Sequence, residues 1–194
     1  MGRLIRSTLA ALLVLVVNHT MADNPRVVIV TDLGDIQLEL HADKAPQTVE
    51  NFLQYVNRYF YDGMLFHRVV KGFIIQSGGH TFDLTAKEPD EPVANESANG
   101  LKNRRGTIAM ARLADPDSAR AQFYINLDDN TTLDPDGDKP GYTVFGTVTD
   151  GMAVVDAIGN VPVHHIPRFQ HLPVEPVQIQ RIRLLEQDQG DTAP

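Results

Sequence analysis

The chain has 194 residues, a formal net charge of −8, a hydrophobic share of 42% and no cysteine. That length suits one domain with a sizeable core. The acidic balance argues against nucleic acid and anionic membrane as partners, and the lack of cysteine excludes disulfides, a thiol nucleophile, a zinc–thiolate centre and a cysteine-linked lipid anchor.

In chain order, residues 1–22 read as a secretory signal peptide. Arg3 and Arg6 form a basic start, Leu9 to Val17 are almost wholly apolar, and Thr20-Met21-Ala22 is a small-x-small cleavage site. The apolar run is too short to span a bilayer as a helix. No later segment is long and apolar enough to cross one, so no membrane contact is expected after cleavage. The working domain is then 23–186, more acidic for the loss of two arginines, followed by a flexible polar tail at 187–194.

Val27–Thr31 and Ile36–Leu40 read as strands joined by a turn at Leu33-Gly34-Asp35. Pro46 opens a helix in which Val49, Phe52, Leu53 and Val56 form one apolar stripe. Met64–Val70 and Phe73–Gln76 follow as strands around Lys71-Gly72. Alternation there sets Phe66, Arg68 and Val70 on one face, a cation among apolar groups that needs a partner or a purpose. Residues 80–105 are polar and rich in Pro, Asn and Glu, and read as a long surface loop. Strands return at Thr107–Ala111, Phe123–Asn126 and Tyr142–Val148, with a loop at 134–141. Met152, Val155 and Ile158 mark a second helix ended by Gly159-Asn160. Val177–Leu185 is a last strand whose alternation slips near Arg181-Ile182, the mark of a bulge. About eight short strands and two helices, with no βαβ rhythm, give a mainly β domain, an antiparallel barrel or sandwich.

Polar residues stand within apolar strands in three places: Phe66–Gln76, Gly106–Arg112 and Ala121–Asn126. Gathered on one face they make an apolar shelf edged by one arginine and two amides, a ligand cleft more than a hydrolytic centre. No Gly-x-Ser-x-Gly elbow or phosphate-binding glycine loop is present. Ser77 reads as a turn residue. His164, His165 and His171 read as solvated histidines of a Pro-rich loop, without metal-ligand spacing. Asp128-Asp129 and Asp136/Asp138 read as charged turns, without the calcium-loop pattern. The competing explanation of Arg68 is a salt bridge at a barrel rim.

The run Phe66-His67-Arg68-Val69-Val70-x-Gly72-Phe73-Ile74-Ile75-Gln76-x-Gly78-Gly79 resembles the signature of the cyclophilins, the peptidyl-prolyl cis-trans isomerases. Gly106–Arg112, Gln122–Ile125 and Val144-Phe145-Gly146 agree with it at the right distances. The likeness runs from about Val27 to Leu185 and is nearest to the exported bacterial members. It implies a closed eight-stranded antiparallel β-barrel capped by two α-helices, and an isomerase acting on X–Pro bonds of exported proteins as they fold in the periplasm. By resemblance, Arg68 is the catalytic residue. His67, Phe73, Ile74, Gln76, Ala111, Arg112, Gln122, Tyr124, Leu133 and Tyr142 bind substrate. No cofactor or metal is implied; the partners are proline-containing polypeptides, and the protein is expected to be a monomer. Ile74, Tyr124 and Thr132 depart from the family's usual residues. Thr132 in place of an aromatic residue implies weak cyclosporin binding, and Tyr124 and Thr132 together, by altering the pocket, keep a non-catalytic binding module or holdase chaperone as the rival class.

Overall fold

The computed structural model describes residues 24–186; the expected signal peptide and polar tail lie outside the described residues. In chain order the elements are β1 (Arg26–Thr31), β2 (Gly34–Leu40), α1 (Pro46–Asn57), β3 (Met64–Leu65), β4 (Arg68–Val70), β5 (Ile74–Ser77), β6 (Thr107–Met110), β7 (Phe123–Asn126), β8 (Val144–Asp150), α2 (Met152–Gly159), β9 (Val163–Ile166), β10 (Phe169–Pro173) and β11 (Gln178–Leu184). On β1 and β2 the period of two is clean: Val27, Ile29, Ile36, Leu38 and Leu40 are buried, while Gln37 and Glu39 keep contact with solvent. Thr31 faces Gly34, so the turn is Asp32-Leu33, one residue before the triplet marked in the sequence. Gly34 instead serves close packing, because a Cβ there would stand 2.9 Å from Val154 of α2.

Nine antiparallel strands form one curled sheet in the order β3-β11-β1-β2-β8-β6-β7-β5-β4. Its two edge strands, β3 and β4, are separated in the chain by Phe66 and His67 alone. β11 carries the expected bulge: Val30 pairs with Arg181 and Thr31 with Ile179, leaving Gln180 over. Inside the curl, Phe52 of α1 meets Tyr61, Phe123 and Phe145 at 5.2–5.6 Å between ring centroids. That aromatic centre is where the helix spends its apolar stripe.

Three sequence expectations need correction. Phe66 does not share a face with Arg68: it is wholly buried in the main core with Val69, because the strand breaks at Phe66-His67 and alternation restarts at β4. The histidine-bearing segment is a two-stranded hairpin, β9–β10, with His164 and His165 exposed on it; its prolines hid the alternation. The polar stretch 80–105 is more than a surface loop, since Ser97 and Asn103 are buried. Its polar side chains replace missing backbone partners elsewhere. No residue at the start of α1 caps it. Glu96 does so from a distance: its carboxylate accepts from Gln47 N at 3.2 Å, Thr48 N at 2.9 Å and the Thr48 hydroxyl at 2.7 Å. A negative group thereby meets the free N–H groups at the positive end of the helix.

Candidate functional site

Strand register brings the site together on the outer face of the sheet. Arg68 on β4 lies opposite Gln76 on β5, Gln76 opposite Tyr124 on β7, and Tyr124 opposite Ala109 on β6. Residues directly opposite on antiparallel strands point to the same side, and the period of two adds Ile74, Gln122 and Asn126. Phe123 and Ile125, between them, turn into the main core. The outer face has its own small apolar cluster of Ile74, Ala109, Tyr124 and Val144, with Phe73, Leu101, Ala111, Leu133 and Tyr142 packed against it.

Hydrogen bonds order the polar edge. An Arg68 Nη1–H donates to Gln76 Oε1 at 3.2 Å, and Gln76 Nε2 donates to Gln122 Oε1 at 2.9 Å. Arg68 has no ion-pair partner among the described residues, so the rim salt bridge that could have explained it is not made. The bulk beyond Gln122 opens into a cleft of about 330 Å³ that reaches Gly79, Ala111, Arg112 and Arg120. Arg112 is committed to structure: its guanidinium lies 4.5 Å over the Tyr142 ring and donates to the carbonyls of Pro140 (2.9 Å), Leu113 (3.0 Å) and Gly141 (3.3 Å). It staples the end of β6 to the segment before β8.

The Tyr124 hydroxyl does not enter the cleft. It donates to Asn103 Oδ1 at 2.7 Å, and the ring is 2% exposed; burial raises its pKa above the usual phenol range. Asn103 also accepts from Asn126 Nδ2 (3.3 Å) and donates to Asp134 (3.1 Å). Asn130 Nδ2 donates both to Asn126 Oδ1 (2.7 Å) and to the carbonyl of Phe73 (2.8 Å). This network ties the floor of the apolar patch to the segments carrying Phe73 and Leu133. His67, expected at the rim, is buried behind Arg68, with its ring 4.8 Å from His80. Burial, helped by the nearby His80, pushes its pKa down to about 4, so it stays neutral near pH 7. The Ser77 hydroxyl donates to Leu65 O at 2.7 Å, joining β5 to β3 in place of acting as a nucleophile.

The family model of the cyclophilin type peptidyl-prolyl cis-trans isomerase/CLD matches residues 26–184, almost the whole described chain. The chain belongs to the cyclophilin-type peptidyl-prolyl cis-trans isomerases. It is 45% identical over 160 residues to peptidyl-prolyl cis-trans isomerase A of Dickeya dadantii (82% of this chain, 84% of the relative). It is 46% identical over 159 residues to peptidyl-prolyl cis-trans isomerase B of Escherichia coli (80% and 97%). The crystal structure of a Cryptosporidium parvum cyclophilin-type isomerase in the presence of the dipeptide Ala-Pro superposes with a TM-score of 0.73 at 28% identity, covering 84% of this chain and 99% of that one. The cyclophilin likeness thus extends through sequence and fold.

Ile74, Ala111, Tyr124, Leu133, Phe73 and Tyr142 gather in the apolar cluster of this face, Arg68, Gln76 and Gln122 form its polar edge, Arg112 lies against Tyr142, and His67 is buried behind Arg68. Sequence reasoning missed Asn103, Asn130, His80 and the hairpin tip Arg168-Phe169-Gln170. Asn126 was findable, since it continues the period of two from Gln122 and Tyr124. Asn103 had no local signal, because its partners lie 21 and more residues away.

Proposed function

We propose that this chain speeds rotation about X–Pro bonds, with Arg68 donating the hydrogen bond that the reaction needs. The ~18–20 kcal/mol barrier of a peptide bond comes from amide resonance. At the twisted transition state that resonance is lost, and the proline nitrogen becomes pyramidal and able to accept a hydrogen bond. A donor aimed there favours the transition state over both planar states. A guanidinium suits the task because it remains charged at any working pH. The row Arg68–Gln76–Gln122 carries this reading: one guanidinium nitrogen is spent on orientation and the rest of the group is left for substrate. Phe73, Ile74, Tyr124 and Leu133 offer an apolar seat for the proline ring, and the backbone at Ala111 and Arg112 a place for the peptide beside it. The chemistry requires no nucleophile, general base, metal or cofactor.

Replacement of Arg68 by alanine is expected to lower kcat/KM on an Ala-Pro peptide about 10²-fold, with thermal midpoint and far-ultraviolet spectrum unchanged. A normal rate in that variant would overturn the assignment. The rival reading, a binding module or holdase, rests on the altered pocket at Tyr124 and Thr132; the bond from the Tyr124 hydroxyl to Asn103 takes away the first of these grounds, and an Arg68→Ala variant that still suppresses client aggregation at full strength would favour the rival.

The setting belongs to the same proposal. Residues 1–22 direct export, the clients are proteins folding in the periplasm, and the working protein is a monomer that binds cyclosporin weakly because Thr132 offers no ring. A mature N-terminus near Asp23 in the periplasmic fraction is the expected result of N-terminal sequencing; retention of Met1 would refute export. The closed eight-stranded barrel is part of the same proposal: it takes β3 and β4, the two edges of the curled nine-stranded sheet, as one strand interrupted at Phe66-His67, and their closeness in the chain supports it.

A further inference from the structure

β4 is an edge of the sheet, and the β9–β10 hairpin packs beside it. Between them lies a hollow of about 350 Å³, lined by His67, Arg68, His80, Arg168, Phe169 and Gln170. The hairpin tip is held in place. Phe169 is buried and meets His80 edge-on at 4.9 Å, and His80 meets His67 at 4.8 Å. A stack of three rings therefore fixes Arg168 relative to the segment that carries Arg68.

Both arginines border the hollow and neither has an acidic partner. Arg168 is exposed and makes no hydrogen bond or ion pair among the described residues. No carboxylate lines the hollow. Asp83 shares the adjoining hollow with Arg168, but its carboxylate already accepts from the Thr81 hydroxyl (2.6 Å) and Thr85 N (3.2 Å). Two uncompensated guanidinium groups on an otherwise acidic chain create a local positive potential. A carboxylate placed between them gains charge-assisted hydrogen bonds.

We infer that this hollow is a specificity subsite for an acidic substrate side chain flanking the proline on the Arg68 side, selected by Arg168. The inference rests on the isomerase reading above. It is tested with the purified protein and Ala-Pro peptides in which Glu or Ala occupies each position flanking the proline. At low salt one position should favour Glu over Ala by about fivefold in kcat/KM, the size of a well-placed exposed ion pair, and the preference should shrink near ~0.5 M salt. Arg168→Glu should abolish it and favour Lys at that position instead, a reversal that a merely structural role would not produce. Equal rates for Glu and Ala at every position, or a Glu preference that survives Arg168→Glu, would overturn the subsite. If the neutral peptide is not turned over at all, the isomerase reading fails. The Glu-to-Ala ratio of dissociation constants, from titration calorimetry on the same peptides, then decides the subsite by itself.

Discussion

Two polar systems share the outer face of the sheet and differ in how their hydrogen bonds end. The row Arg68–Gln76–Gln122 is open: it runs along the surface and finishes on a cation with donors to spare. The network of Tyr124, Asn103, Asn126 and Asn130 is closed: all four residues are buried, and Asn103 and Asn126 each donate and accept within the protein. The open row can offer a bond to a visitor because Arg68 spends only one of its donors, on Gln76, within the row. The closed network cannot, and serves instead to hold the patch on which the visitor rests. Buried polar groups are costly when left unpaired, so damage to the closed network should appear in stability and damage to the open row in rate.

Acid gives the largest expected effect and separates the two at once. Glutamine side chains carry no titrating proton, and the group beside the row that burial perturbs is His67, directly behind it. The fold holds its imidazole neutral with a pKa of about 4, against 6.5 for an unperturbed histidine. The unfolded chain therefore binds the proton first. Stability is fully present above pH 6.5 and is lost as pH falls toward 4, by about 3 kcal/mol at most. His80, whose pKa burial also lowers, acts in the same direction. Urea unfolding between pH 7 and 4 measures this, and a flat profile would show that His67 is not the buried neutral group described.

The next effect falls on the closed network. Asn103→Ala removes the acceptor of both Tyr124 and Asn126 and should cost about 2 kcal/mol in chemical denaturation. A variant as stable as the parent would mean that the network is decorative. The smallest effect belongs to the open row. Gln76→Ala takes away the acceptor that orients Arg68, and about a tenfold loss in kcat is expected, with stability changed by less than ~0.5 kcal/mol. Should that variant lose stability and keep its rate, the division between open and closed systems would fail.

The architecture was legible in the sequence wherever one face of a strand meets solvent. Ile36, Leu38 and Leu40 alternate with polar residues, and β2 follows. Legibility failed where periodicity breaks without a glycine or proline to announce it, as at Phe66-His67, and where prolines interrupt a real strand pair, as in β9–β10. Arg68, Gln76 and Gln122 could be singled out because each is a polar residue in or beside a short apolar strand. The support beneath it was not, since Asn103 and Glu96 act on partners far along the chain from a segment that looks, locally, like solvent-facing loop.

The place of β11 has a consequence for when this protein can fold. The first strand reaches β3 only through β11, which pairs with both. The sheet therefore cannot be completed until nearly the last residues of the chain exist, and the contacts that finish it span most of the sequence. Such long-range closure is slow. A polypeptide built this way cannot join its two sheet edges through β11 until residues 178–184 have been made.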